Sequence, residues 1–144
     1  MKTNNLRHTG IVVSNIEKSL EFYRDLLGFI VVKDQVETGR YIDIFLGLED
    51  VTVRTVKMCL GEGSMLELLC FFSHPPKMTP QKIYDLGCSH VALTVEDLDE
   101  TYKSLLNSGV FFNNPPQISP DGYAKVAFCQ DPDGSYLELV EELQ

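Results

Sequence analysis

The chain of 144 residues has no tryptophan, only three histidines and four cysteines, and no apolar run near the ~18 residues that a membrane-spanning helix needs. Basic residues are scarce too: 12 Lys and Arg stand against 21 Asp and Glu, a net charge of −9. Nucleic-acid binding requires a basic face, and this charge argues against it; an anionic substrate would need a local cluster of Arg and Lys. The cysteines, at 59, 70, 88 and 129, form no Cys-x-x-Cys pair. Cys59, Cys70 and Cys129 lie in apolar, strand-like stretches, where a reduced thiol behaves as a small hydrophobe. The opening residues Met1 to Asn5 lack the apolar core of a signal peptide. The expectation is a cytoplasmic protein with neither a membrane nor a nucleic-acid partner. An apolar fraction of 44% and a charged fraction of 23% are those of an ordinary globular chain, long enough for one domain or two closely packed modules.

What the chain does have is a carboxylate in the middle of an apolar run, Met65-Leu66-Glu67-Leu68-Leu69. Such a run reads as a core strand, where an isolated ionised carboxylate is costly unless a positive group meets it. The arrangement recurs at Tyr136-Leu137-Glu138-Leu139-Val140.

The surrounding pattern repeats as well. Leu6 to Val13 reads as a strand, with His8, Gly10 and Val12 on one face. Ser14 to Glu17 has capping-box spacing, and a helix follows with Ile16, Leu20, Tyr23 and Leu27 inward and Gly28 as its stop. Strands are expected at 29–36, 51–60 and 65–72, with a hairpin turn at 61–64; residues 37–50 are ambiguous, with a turn or short helix at 46–50. The second copy runs as a strand at 89–95 carrying His90, Ala92 and Thr94 on one face, then a helix opened by Glu96-Asp97 with Leu98, Tyr102, Leu105 and Leu106 inward. It continues with a short strand at 110–113, a proline-bearing loop at 114–122, a strand at 123–129, a tight turn Asp131-Pro132-Asp133-Gly134, and the Glu138 strand.

The fold class is therefore α+β: one domain over 1–144, made of βαβββ modules at 6–72 and 88–142 joined by the proline-containing linker 73–87. Neither module is large enough to bury its own sheet and helix well. The modules are expected to pack into an eight-stranded curved sheet around a cleft. An approximate two-fold would bring His8, Glu67, His90 and Glu138 together there, beside the small Gly10 and Ala92. Two neutral imidazoles and two carboxylates balance one divalent cation, and the mixed N/O set suits Ni, Co, Zn, Mn or Fe. A metal holding two neighbouring substrate oxygens would acidify the adjacent C–H and stabilise an enediolate, with a Glu as proton shuttle. The competing reading pairs Glu67 with Arg7 or Lys57 as a structural ion pair. His74, without a repeat partner, reads as a surface loop residue.

These residues carry a resemblance. Leu6-Arg7-His8-Thr9-Gly10, Ser19 to Phe29, Met65 to Leu68, Ser89-His90-Val91-Ala92, Ala127-Phe128, Asp131 to Gly134 and Leu137-Glu138-Leu139 resemble the vicinal oxygen chelate superfamily, which spans glyoxalase I, methylmalonyl-CoA epimerase, extradiol dioxygenases and fosfomycin and bleomycin resistance proteins. The resemblance implies a homodimer, metal ligands at His8, Glu67, His90 and Glu138, and catalytic roles for Glu67 and Glu138. The His-Glu-His-Glu set is most similar to glyoxalase I (lactoylglutathione lyase), then to the epimerase, for which a second acid–base group near Glu49-Asp50 is implied. The expected activity is that of a divalent-metal-dependent lyase or isomerase moving a proton through a metal-bound enediolate on a small 2-oxo or thioester substrate. The alternatives are an epimerase-like racemase, an extradiol-type dioxygenase, for which Glu67 would fill a position needed by substrate or oxygen, and a non-catalytic binding protein. Arg7, Arg40, Arg54 and Lys125 are the candidates to meet an anionic thiol carrier.

Overall fold

A computed structural model of the chain describes residues 1–61 and 63–144. Glu62, inside the expected hairpin turn at 61–64, lies outside the described residues. The chain divides into two compact units, Met1–Met78 and Thr79–Gln144.

The first unit begins with β1 (Thr9–Val12) and α1 (Ile16–Leu20), which widens into a π turn over Glu21–Leu26. The cap of α1 is Asn15 rather than Ser14: its Oδ1 accepts from the Lys18 N–H at 3.1 Å. The wide turn buries Phe22 beside Tyr23; of the expected stripe Ile16, Leu20 and Tyr23 are buried, while Leu27 is only half-buried. Gly28, at φ +81°, closes the helix as expected. β2 (Ile30–Thr38), β3 (Thr52–Leu60) and β4 (Ser64–Phe71) complete a four-stranded sheet in the order β1-β4-β3-β2, with β1 parallel to β4.

Period-two alternation divides β4 cleanly. Leu66, Leu68 and Cys70 are buried on one side of the strand, and Glu67 is buried as well. Glu67 and Leu69 lie on the other side. Between β2 and β3 a further helix, α2 (Arg40–Leu46), stands where the sequence was ambiguous. Its Ile42 joins Val51 and Val53 in a cluster flanked by Leu46, Leu69 and Phe71, so α2 covers one end of the Glu67 face. Asp43 ties the helix down by accepting from the Val51 N–H at 2.8 Å.

The second unit repeats the plan as β5 (His90–Thr94), α3 (Leu98–Asn107), β6 (Gln117–Ile118), β7 (Ala124–Gln130) and β8 (Tyr136–Glu142), ordered β5-β8-β7-β6 with β5 parallel to β8. Asp97 caps α3 through the Glu100 N–H, and Gly109 at φ +84° ends it. Leu98 and Leu105 are buried, but Leu106 is exposed, contrary to expectation. The expected strand at 110–113 is reduced to a single bridge from Phe112 to Cys129. The edge strand is instead β6, two residues within the proline-bearing loop, paired with β7. At the β7–β8 turn, buried Asp131 accepts from the N–H groups of Asp133 and Ser135, both at 2.9 Å.

The eight main strands thus form two four-stranded sheets. All four cysteines are free, with Cys70 and Cys129 buried and Cys88 exposed. No helix among the described residues is long and apolar enough to cross a membrane.

Candidate active site

The central strand of each sheet carries its glutamate at an equivalent place. In the parallel pair β1–β4 the register partner of Glu67 is Gly10; in β5–β8 the partner of Glu138 is Ala92. The histidines stand two residues before those partners, His8 just ahead of β1 and His90 at the start of β5. Parallel pairing gives this offset a consistent outcome, because residues i and i+2 share a face.

In the second unit the pair is formed. His90 Nε2 lies 3.1 Å from Glu138 Oε2, with the imidazole 34% and the carboxylate 25% exposed. Ser89 Oγ is 2.6 Å from His90 Nδ1. With Nδ1 protonated, the Ser89 hydroxyl accepts from it and Nε2 keeps a lone pair for a cation; with Nε2 protonated, the ring donates to Glu138 and the Ser89 hydroxyl donates to Nδ1. Phe128, the register partner of Glu138 on β7, packs its ring edge against His90 at 5.1 Å between centroids.

In the first unit Glu67 is the more deeply buried carboxylate, its side chain 11% exposed. Its partner on β3 is Lys57, with Nζ 3.6 Å from Oε2. That separation makes an ion pair but exceeds hydrogen-bonding distance. The structural alternative weighed for Glu67 is therefore present in the form of Lys57. Among the described residues, no three His, Cys, Asp or Glu side chains gather as a metal-binding group.

Imidazole and carboxylate are donor types a borderline divalent ion takes, and among the described residues only the second unit brings such a pair together. Each unit offers an imidazole and a carboxylate at matched register, and in the second unit Nε2 and Oε2 already converge. Ser89 was not singled out from the sequence; a serine directly preceding a strand histidine is the signal that would have found it.

The proposed anion-binding side chains fare unevenly. Arg54 is engaged, donating to Asp34 at 2.9 and 2.8 Å and to Glu17 at 2.6 Å. Those two acceptors hold the guanidinium well above its usual pKa, and in return Arg54 holds the Asp34 carboxyl below the usual carboxylate range. Lys125 is held by Asp99 at 2.8 Å and Glu141 at 3.4 Å. Arg7 and Arg40 are exposed, as are Glu49 and Asp50. His74, half-buried, meets Ser73 Oγ at 2.7 Å through Nδ1.

Comparison with known proteins agrees with this architecture. The profile of the Glyoxalase/Bleomycin resistance protein/Dioxygenase superfamily matches residues 5–139. A lactoylglutathione lyase of Neisseria meningitidis serogroup A is 32% identical over 141 residues, covering 95% of this chain and 90% of that protein. A probable lactoylglutathione lyase of Synechocystis is 30% identical over 139 residues, with 94% of each chain covered. A glyoxalase family protein of Bacillus cereus shares the fold at a TM-score of 0.91 and 22% identity, covering 100% of this chain and 97% of its own. The chain belongs to the Glyoxalase/Bleomycin resistance protein/Dioxygenase superfamily.

Proposed function

We propose that this protein is a divalent-metal-dependent lyase or isomerase of the glyoxalase type, in which His8, Glu67, His90 and Glu138 hold one cation. The two units act together as a single glyoxalase-like domain, and the protein works as a cytoplasmic homodimer on a small 2-oxo or thioester substrate. The observation that carries this reading is the His90–Glu138 pair, with Nε2 and Oε2 3.1 Å apart and Nδ1 engaged by Ser89. The same register in the first unit supports it, with Gly10 opposite Glu67.

A divalent ion held by these four groups supplies the Lewis-acid charge that lowers the pKa of a C–H beside a carbonyl. The remaining work belongs to the protein. Glu67 and Glu138 take the proton from one carbon and return it to the next, a role that positioned carboxylates fill for roughly 10²–10⁴-fold in rate. His90, oriented by Ser89 and braced by Phe128, keeps Nε2 directed toward Glu138. Ala92, small and exposed, leaves room opposite Glu138, whereas at Gly10 the Leu69 side chain already approaches within 3.3 Å of where a Cβ would stand.

The relatives named as lactoylglutathione lyases make the hemithioacetal of methylglyoxal and glutathione the first substrate to assay. With nickel- or cobalt-loaded protein, Glu67→Gln and Glu138→Gln should each lower thioester formation by at least about a hundredfold while the circular dichroism is unchanged. Substantial turnover retained by both variants would contradict the mechanism.

A further inference from the structure

The short helix α2 is apolar on both sides. Inward, Ile42 is buried with Val51 and Val53, and Leu46 packs against that cluster. Outward, Tyr41, Ile44 and Phe45 stand 75%, 68% and 69% exposed, and Leu48, just past the helix, is exposed as well. The spacing of residues 41, 44, 45 and 48 sets them on one side of the helix. A helix apolar all round is ordinarily buried. Here no segment among the described residues covers the outer side.

The patch is held in place. Gly47, at φ +66°, turns the chain out of α2, and the Leu48 N–H donates back to the Asp43 carbonyl at 3.0 Å. That bond keeps Leu48 beside the last turn. Asp43 ties the helix to the start of β3 through the Val51 N–H. The Tyr41 and Phe45 rings stack, with 5.9 Å between centroids and 12° between planes. A partner therefore meets a preformed surface with little side-chain entropy left to lose.

Charge decides which partner fits. Arg40 opens α2, while Glu49 and Asp50 follow its far end. All three are exposed, and none forms an ion pair among the described residues. The patch thus has a positive end and a negative end, separated by an apolar middle about 10 Å long. A two-fold axis crossing α2 near Ile44 lays two such helices antiparallel. It sets Arg40 of each copy against Glu49 and Asp50 of the other, with the four apolar side chains closed between them. A bilayer fits less well, because anionic lipid would meet two carboxylates and a chain of net charge −9.

We propose that the outer side of α2 is a self-complementary contact between two copies of this chain. The patch offers on the order of 400–500 Å² per copy, more than scattered surface apolars but less than the roughly 800 Å² per partner of a stable interface. The dimer is accordingly a reversible one that dissociates at micromolar concentrations. This inference rests on the homodimer of the reading above and not on its cation.

The test is sedimentation equilibrium of the full chain in chelator-containing buffer, over a concentration series in which the unaltered protein should pass from monomer to dimer. Phe45→Lys and, separately, Ile44→Lys should stay monomeric over that series with unchanged circular dichroism. Two charge variants give the sharper arm. Arg40→Glu places like charges opposite one another at both ends of the pair. Glu49→Arg combined with Asp50→Asn does the same with the other sign, and asparagine tolerates the left-handed backbone of Asp50 at φ +52°. Each variant alone should self-associate at least about tenfold more weakly. Mixed in equal amounts, they restore opposite charges at both ends, and association should return close to the unaltered value. An unaltered protein that stays monomeric at every concentration would overturn the homodimer and this proposal together. A dimer that tolerates either lysine substitution would overturn this proposal alone. So would charge variants that lose nothing singly or recover nothing when mixed.

Discussion

Glu67 and Glu138 occupy equivalent positions on the central strands of the two sheets, yet their register partners on the antiparallel side differ in kind. Glu67 faces Lys57, while Glu138 faces Phe128 and turns to His90 at 3.1 Å. The two carboxylates therefore have different neighbours before any cation binds. In metal-free protein, Lys57→Met should destabilise by about 1–3 kcal/mol, because it leaves a largely buried carboxylate unpaired. Phe128→Leu should act mainly through packing against His90, costing less than about 1.5 kcal/mol. Urea unfolding of both variants checks the contrast, and equal effects would contradict it.

Ser89 should govern how well His90 can serve as a ligand. Removing an outer partner of a ligand histidine typically lowers metal affinity 10–100-fold. Ser89→Ala should therefore weaken cobalt binding by about that factor. Ser73→Ala removes a contact of similar geometry to His74, which lies outside the proposed ligand set, and should leave cobalt binding unchanged. Competition against a chelator of known affinity measures both.

The ion pairs of Arg54 should show in the acid limb of stability. Arg54 depresses the Asp34 carboxyl in the folded chain, chiefly by hydrogen bonding. A depressed carboxyl stabilises the fold above its unfolded pKa of about 4, and that contribution is lost as pH falls through the lowered folded value. Asp34→Asn should cost up to about 1 kcal/mol at pH 7, the modest figure reflecting partial solvent exposure. The difference from the unaltered protein should shrink as pH falls below the unfolded carboxylate value and vanish once it is below the lowered folded one. Denaturation midpoints across that range test the sign, and a difference that grows toward acid would contradict it.

The thiols should separate by burial. Desolvation, reinforced by the Asp131 charge, pushes the Cys129 thiol up to about 12, whereas Cys88 is exposed. At pH 8 a disulfide reagent should label Cys88 promptly and Cys129 only on unfolding, because the thiolate is the reactive form. Prompt labelling of Cys129 in folded protein would place it outside the core. The raised pKa also means that the fold loses stability as pH climbs from about 8.5, where an unfolded thiol ionises, toward 12.

The repeat was legible because it rests on local patterns: Asp97 and Gly109 delimit α3, Gly28 ends the first helix, and alternating apolar residues flank each central glutamate. The face shared by His90 and Ala92 was readable for the same reason. Features set by tertiary contacts were not. In α2 only Ile42 and Leu46 turn inward while Tyr41, Ile44 and Phe45 stay exposed, so no helical period marks it. β6 is a strand only because β7 lies alongside. Lys57 was visible as one of two cations able to pair with Glu67, but the choice depends on the β3–β4 register. Ser89 was missed because residue i−1 on a strand ordinarily points away from its neighbour's face.

The most direct test of the account is a cobalt titration of metal-stripped protein, followed by visible absorption and repeated for His8→Ala, Glu67→Gln, His90→Ala and Glu138→Gln. One tightly bound ion per chain with a weak six-coordinate spectrum is expected, with weaker binding in each of the four variants. Absence of specific uptake, or uptake indifferent to all four substitutions, would contradict the metal site and leave the His90–Glu138 and Lys57–Glu67 pairs as structural features of their sheets.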